Sequence, residues 1–267
     1  MTKLTLLKLP IFTLLIGGLL NLTACQPDEP DPFENLELIA IAEDGNAAVE
    51  VYANEALYAG YNTLYVKVIN DGEETNNASV TIKPVMDMTE KVHSCPVEQP
   101  TLNDDNIFEG YALFQMPSMG GTWALNVNVT LIDNGDKHEF SMPIEVIQPE
   151  FARAIVTSSE IDDKRIIIGY VNPMAPTVGD NDFEVAVYTM VDMMTFEPIT
   201  GLKVKTEPEM PSMGHGSEGN INPTETTNGH YKGNVNFNMV GDWRINLTVL
   251  EGDAVAKDGI YFDLFFQ

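Results

Sequence analysis

Cysteine is nearly absent: the 267 residues contain two, Cys25 and Cys95. A disulfide framework therefore does not support the fold, and stability has to come from a packed core. The chain is long enough for one or two domains. Basic side chains are scarce too, 14 lysines and arginines against 40 aspartates and glutamates, for a formal net charge of −26. So acidic a surface repels nucleic acid and anionic lipid, which excludes nucleic acid as a partner. Amphipathic helical spacing is missing throughout. Missing as well are a nucleophile turn in Ser-His-Asp order, a phosphate-binding glycine loop and a carboxylate pair that stands out from the scattered acids. Cys95 lies two residues from His93, but no third group orients the pair for nucleophilic catalysis. The chain reads as a binding protein and not as an enzyme.

The one long apolar run, "IFTLLIGGLLNL" at 11–22, is too short to span a bilayer comfortably and follows Lys3 and Lys8. It ends in "LTAC", so residues 1–24 read as a secretory signal. That ending resembles the lipobox of bacterial lipoproteins, which implies lipidation of Cys25 as the first residue of the mature chain. The acidic, Pro-containing stretch that follows, residues 25–34, suits a solvated tether. The expected location is the cell envelope, lipid-anchored, at the periplasmic face of the outer membrane or at the cell surface. Removal of 1–24 takes two lysines and no acid, which deepens the acidic excess.

What the chain does have is a repeat. "GYNTLYVKV" at 60–68 matches "GDNDFEVAV" at 179–187, and "KPVMDM" at 83–88 matches "EPEMPSM" at 207–213. "GYALFQMPSMGGTWALNVNV" at 110–129 matches "HYKGNVNFNMVGDWRINLTV" at 230–249. This register pairs Gly60 with Gly179, Tyr111 with Tyr231, Met119 with Met239 and Trp123 with Trp243. Each copy alternates apolar and polar residues over short runs separated by Gly, Asn, Asp and Pro. Six or seven such strands per copy predict an all-β fold of two tandem immunoglobulin-like antiparallel β-sandwiches. The first spans 35–148 and the second 152–267, split near "IQPEF".

Each copy carries one long interruption, at about 86–108 and 210–230, and loops of that length in compact domains are commonly functional. Met86, Met88, His93 and Cys95 fall in the first; Met210, Met213, His215 and His230 fall in the second. Thioether, thiolate and imidazole together select Cu(I). Oxygen ligands are too scattered for calcium, and "HSC" lacks the spacing of a structural zinc pair. The ordinary alternatives are a Met capping the core, a solvated His and a buried Cys. His230, Met239 and Met119 rank as second-tier ligands. For Met119 and Met239 a core position is preferred, because simple strand alternation sends them to the end opposite the loops. "VDMMTF" at 191–196 is expected to continue a strand and pack.

In the second copy the order "PTVGDNDFEVAV", "MPSMGH", "NGHYKGNVNFNMVGDWRINLTV" resembles the YtkA-like domain, a relative of the FixH family, over nearly all of 172–250. That resemblance implies a small exported β-sandwich associated with copper binding or delivery, including supply to a copper-containing membrane or periplasmic enzyme. The residues it carries over are Met210, Met213 and His215. The first copy departs from the pattern, with "MDMTEKVHSCP" in place of "MPSMGH". Two unequal sites would permit an ion to pass from one to the other. The expected function is a lipid-anchored copper chaperone or buffer holding Cu(I). The competing reading is a structural or adhesive tandem module for protein–protein contact, which would need aromatic or Arg anchors on its surface.

Overall fold

The computed structural model describes residues 31–267; the expected signal, Cys25 and most of the expected tether lie outside the described residues. The first half holds β1 (Glu37–Asp44), β2 (Ala47–Ala53), β3 (Tyr61–Asn70), β4 (Glu73–Glu74) and β5 (Ala78–Asp87). These are followed by β6 (Val92–His93), β7 (Val97–Leu102), β8 (Phe108–Leu113), β9 (Thr122–Leu131) and β10 (Lys137–Ile144). The second half holds β11 (Ala154–Ser158), β12 (Arg165–Asn172), β13 (Gly179–Asp192), β14 (Thr195–Pro198) and β15 (Leu202–Met210). Then come β16 (His215–Gly216), β17 (Ile221–Glu225), β18 (His230–Phe237), β19 (Gly241–Glu251) and β20 (Ala254–Phe266).

Sheet order is β1-β2-β3-β8-β7 and β10-β9-β5-β6 in one half, β11-β12-β13-β18-β17 and β20-β19-β15-β16 in the other. The two lists are the same topology shifted by ten strands, all pairings within them antiparallel. The predicted tandem β-sandwich architecture holds. Strict alternation makes the cores: β2 buries Ala47, Val49, Val51 and Ala53, while the residues between them are only half-buried. Even small details repeat. The Asn62 amide donates to the carbonyls of Tyr58 and Gly60, and that of Asn181 to the carbonyls of Thr177 and Gly179. The packed unit begins earlier than expected, because Phe33 is buried, with its ring 4.8 Å from that of Tyr52.

The two long interruptions are not loops. Each contains a two-residue strand and a further edge strand, β6 and β7 in one, β16 and β17 in the other. The edge strands escape a pattern search because Pro100 and Pro223 break their alternation, which only an edge tolerates. Gly110 and Gly233 let them approach: a Cβ there would stand 2.8 Å from the Glu98 carbonyl and 2.3 Å from the Ile221 carbonyl.

These extra strands reverse the chain once more than expected. Met119 and Met239 therefore arrive at the same end as Met86 and Met210, not the opposite one. They are not core either, since Met119 is 89% exposed and Met239 also lies at the surface. The repeat register needs correcting at the same place. Tyr61 opposes Leu113 in β3–β8, and its counterpart Asp180 opposes Asn236 in β13–β18. Phe114 thus corresponds to Phe237, Met116 to Met239, and Phe108 to Tyr231. The first copy has three more residues between Phe114 and Trp123 than the second has between Phe237 and Trp243. Met119 belongs to that insertion, in a short 3-10 turn at Ser118–Gly120.

Candidate functional site

In each sandwich three aligned residues form a row across one sheet. Met86 lies opposite Trp123 on β9 and opposite His93 on β6. Met210 lies opposite His215 on β16, and the last β15–β19 pair, Glu209 with Arg244, brings it to Trp243. Cross-strand partners point to the same face, so each row of Trp, Met and His faces inward at the same end of its sandwich. His93 and Trp123 meet edge to face at 5.3 Å and 88°, His215 and Trp243 at 6.1 Å and 80°. Phe114 and Phe237 each pack 5.1 Å from their Trp.

A second methionine lies beside each row, in the turn before the Trp strand, tied to it through its backbone carbonyl. The indole Nε1–H of Trp123 donates to the Met116 carbonyl at 3.1 Å, and that of Trp243 to the Met239 carbonyl at 3.0 Å. A Cβ on Gly120 would stand 3.5 Å from the Met116 methyl and 3.8 Å from the Met86 methyl, so the two side chains converge. Met116 escaped the sequence reading. The signal for it was present as "FQM" at 114–116 against "FNM" at 237–239, and it was hidden by the three-residue insertion that aligned Met119 instead.

The two histidines are held alike. Nδ1 of His93 lies 2.9 Å from the Ser94 carbonyl, and Nδ1 of His215 lies 2.9 Å from the Gly216 carbonyl. A carbonyl oxygen only accepts, so Nδ1 carries the proton in both rings and Nε2 presents the lone pair. That is the arrangement in which a metal-ligating imidazole is oriented by its other nitrogen. Two thioethers and one imidazole fit a soft monovalent ion. Among the described residues no group of three or more His, Cys, Asp or Glu gathers as a metal site.

The remaining expected ligands sit differently. Met213 is 60% exposed at the β15–β16 turn, whose backbone closes through Met213 and Gly214 N–H groups donating to the Met210 carbonyl. Met88 is partly buried against the first core. Cys95 is buried inside that core, and desolvation pushes its thiol pKa up. Burial thus holds it as a neutral thiol and not the thiolate that binds metal; it is a packing residue.

His230 is also corrected. It starts β18, a whole strand away from Met210, because β17 carries the chain back to the far end of the sandwich. There its Nδ1 donates to Glu184 Oε1 at 2.6 Å and its Nε2 donates to Glu98 Oε1 of the first sandwich at 2.7 Å. Tyr61 and Tyr188 donate their hydroxyls to the same Glu98 oxygen at 2.8 and 2.9 Å. Burial alone would lower the His230 pKa, but the bonds and charges of Glu184 and Glu98 outweigh it and raise the value to about 9. Burial likewise works to raise both carboxyls, and their hydrogen bonds from His230 overcome it and hold them below the usual range. With both ring nitrogens engaged, His230 is a clamp and not a ligand.

The clamp and an apolar patch of Tyr61, Leu113, Ile167, Ala186 and Tyr188 join the sandwiches in series. Gly169 permits the close fit, since a Cβ there would stand 2.8 Å from a Leu113 methyl. Tyr61 and Glu98 belong to the Met–His end of the first sandwich, and Tyr188 and His230 to the opposite end of the second. The first Met–His row therefore lies at the junction, and the second at the free tip. Between them runs β18, eight residues long, so they stand roughly 25 Å apart at about 3.3 Å per residue. An ion cannot pass between them by direct ligand exchange.

Residues 168–248 match the family model described as YtkA-like. Comparison with curated proteins gave no match. Among solved structures, a DUF4426 family protein from Pseudomonas aeruginosa PAO1 is 14% identical, with 44% of this chain and 99% of that one covered and a TM-score of 0.32. Domains 5–6 of the S-layer protein SbsC are 17% identical, with 86% and 97% covered and a TM-score of 0.29. The matched span contains the whole second row, from Met210 and His215 to Met239 and Trp243, so it is the second sandwich that is similar to the YtkA-like family.

Proposed function

We propose that the protein is an exported, lipid-anchored copper-binding protein, a chaperone or buffer that holds Cu(I) in each sandwich. Met86, Met116 and His93 form one donor set, and Met210, Met239 and His215 the other. The observation that carries this reading is recurrence: both copies place Met, His and Trp in one cross-strand row, with the same Nδ1–carbonyl bond. Thioethers contribute softness and little charge, the imidazole Nε2 a stronger donor, and Cu(I) accepts such low coordination. Packing against Trp excludes water from one side, and the indole face favours a cation. The acidic surface raises the local concentration of cations without adding specificity.

The test is an anaerobic titration of Cu(I) against a chromophoric chelator, with about one ion captured per sandwich expected. A wild-type chain that fails to compete for Cu(I) sinks the reading and leaves a structural or adhesive tandem module in its place. The anchor is tested separately. Cys25→Ser should release the protein from the membrane fraction, and an unchanged distribution would remove lipidation from the account.

A further inference from the structure

The two rows differ in what lies beside them. β6 is the last strand of its sheet, yet its edge is covered: the Ser94 N–H, directly after His93, donates 2.8 Å to the carbonyl of Met193. Met193 and Met194 form the tip of the β13–β14 hairpin of the second sandwich. The expectation that "VDMMTF" continues a strand fails at this point, because β13 ends at Asp192 and the two methionines occupy the turn. His93 is only 6% exposed, while its counterpart His215 at the free tip is half-buried.

The hairpin's composition is the second observation. The matching β3–β4 turn of the first sandwich is Asp71–Gly72 and offers no soft donor. The turn that does seat beside a histidine carries two thioethers, with Met193 41% exposed and Met194 partly buried. Methionine elsewhere fills apolar gaps, but a two-residue hairpin tip has no core to fill. An unbranched side chain with three rotatable bonds on the residue bonded to Ser94 can turn toward the neighbouring His93. The seat is fixed by Glu98, three residues beyond Cys95, which His230 of the second sandwich clamps.

We propose that the first soft-metal site is shared between the sandwiches, with the Met193–Met194 tip of the second supplying a thioether to the ion held by Met86 and His93 of the first. This rests on the copper reading above. The second site, at the free tip, is built from its own sandwich alone.

The test uses the full chain carrying Met210→Ala, His215→Ala and Met239→Ala, so that only the first site remains. Met193→Leu and Met194→Leu are then added, which keeps side-chain volume and removes the thioethers. Anaerobic competition should show Cu(I) affinity falling about tenfold or more, and X-ray absorption should show about one sulfur fewer around copper. Unchanged affinity and sulfur count overturn the sharing and leave the copper reading intact. Failure of the parent chain to bind Cu(I) overturns the first site itself, and the sharing with it. Should the double variant misfold by circular dichroism, the two single Leu variants carry the same comparison, and no sulfur lost in either overturns the proposal.

Discussion

The first and second sandwiches present nearly the same residues at the same end, and they differ in what that end faces. The Met86–His93 row is seated against the second sandwich, with its histidine buried. The Met210–His215 row lies at the free tip, with Met210 buried, its histidine half-buried and Met213 exposed on its turn. Local sequence is thus responsible for the donors, while the order of the sandwiches decides their access. On the copper reading proposed above, the more buried site would favour retention and the more accessible one exchange.

The sharpest way to break the comparison is to delete one side of it. Met210→Ala, His215→Ala and Met239→Ala together should remove the whole second equivalent of Cu(I) and leave the first, read by chelator competition, with the β-sheet spectrum unchanged. Loss of both equivalents would mean the sites are not independent. Next comes stability. Met86 is fully buried, so Met86→Ala should cost about 2–5 kcal/mol in denaturant unfolding. Exposed Met213→Ala should cost less than about 0.5 kcal/mol, and equal costs would contradict the placement of the two methionines.

The junction gives a smaller, pH-dependent effect. His230 titrates at about 9 in the folded clamp against an ordinary 6.5. Its contribution is therefore complete below about pH 6.5 and fades as pH rises through about 9. Glu98 and Glu184 are held below their ordinary values, so their contribution is present above the carboxylate range and is lost as pH falls through the folded values. Thermal unfolding should show a decline on the alkaline side that His230→Gln abolishes. The variant should also lose up to about 3 kcal/mol at neutral pH, because Glu98 is left without its cation and Glu184 keeps only Lys232, 3.2 Å away. A variant with the wild-type alkaline profile would remove His230 from the junction's stability. Smallest of all, Met119→Leu should leave Cu(I) affinity within about twofold, since Met119 sits in an insertion with no counterpart; a larger loss would return it to the site.

Much of the second site was legible because its residues are close in sequence. "MPSMGH" delivers Met210 and His215 to one hairpin, and "F.M.G.W" delivers Met239 and Trp243 to one turn. The first site was read less well. Its insertion shifted the repeat register, so Met119 stood in for Met116. Cys95 looked available only because burial is invisible in a linear string. The direction in which Met119 and Met239 arrive depended on edge strands whose prolines hide them. His230 was the clearest miss, since its partners Glu184 and Glu98 lie in other strands and, for Glu98, in the other sandwich.

The sequence by itself determined the β class, the duplication and the soft-donor chemistry, because alternation, repeat spacing and side-chain type are local properties of a chain. Only the tertiary structure decided which methionines converge, which histidine is a ligand candidate and which a clamp, and which site is covered. Those outcomes follow from strand parity and from the seating of one sandwich on another, and both are sums over contacts between residues far apart in the chain.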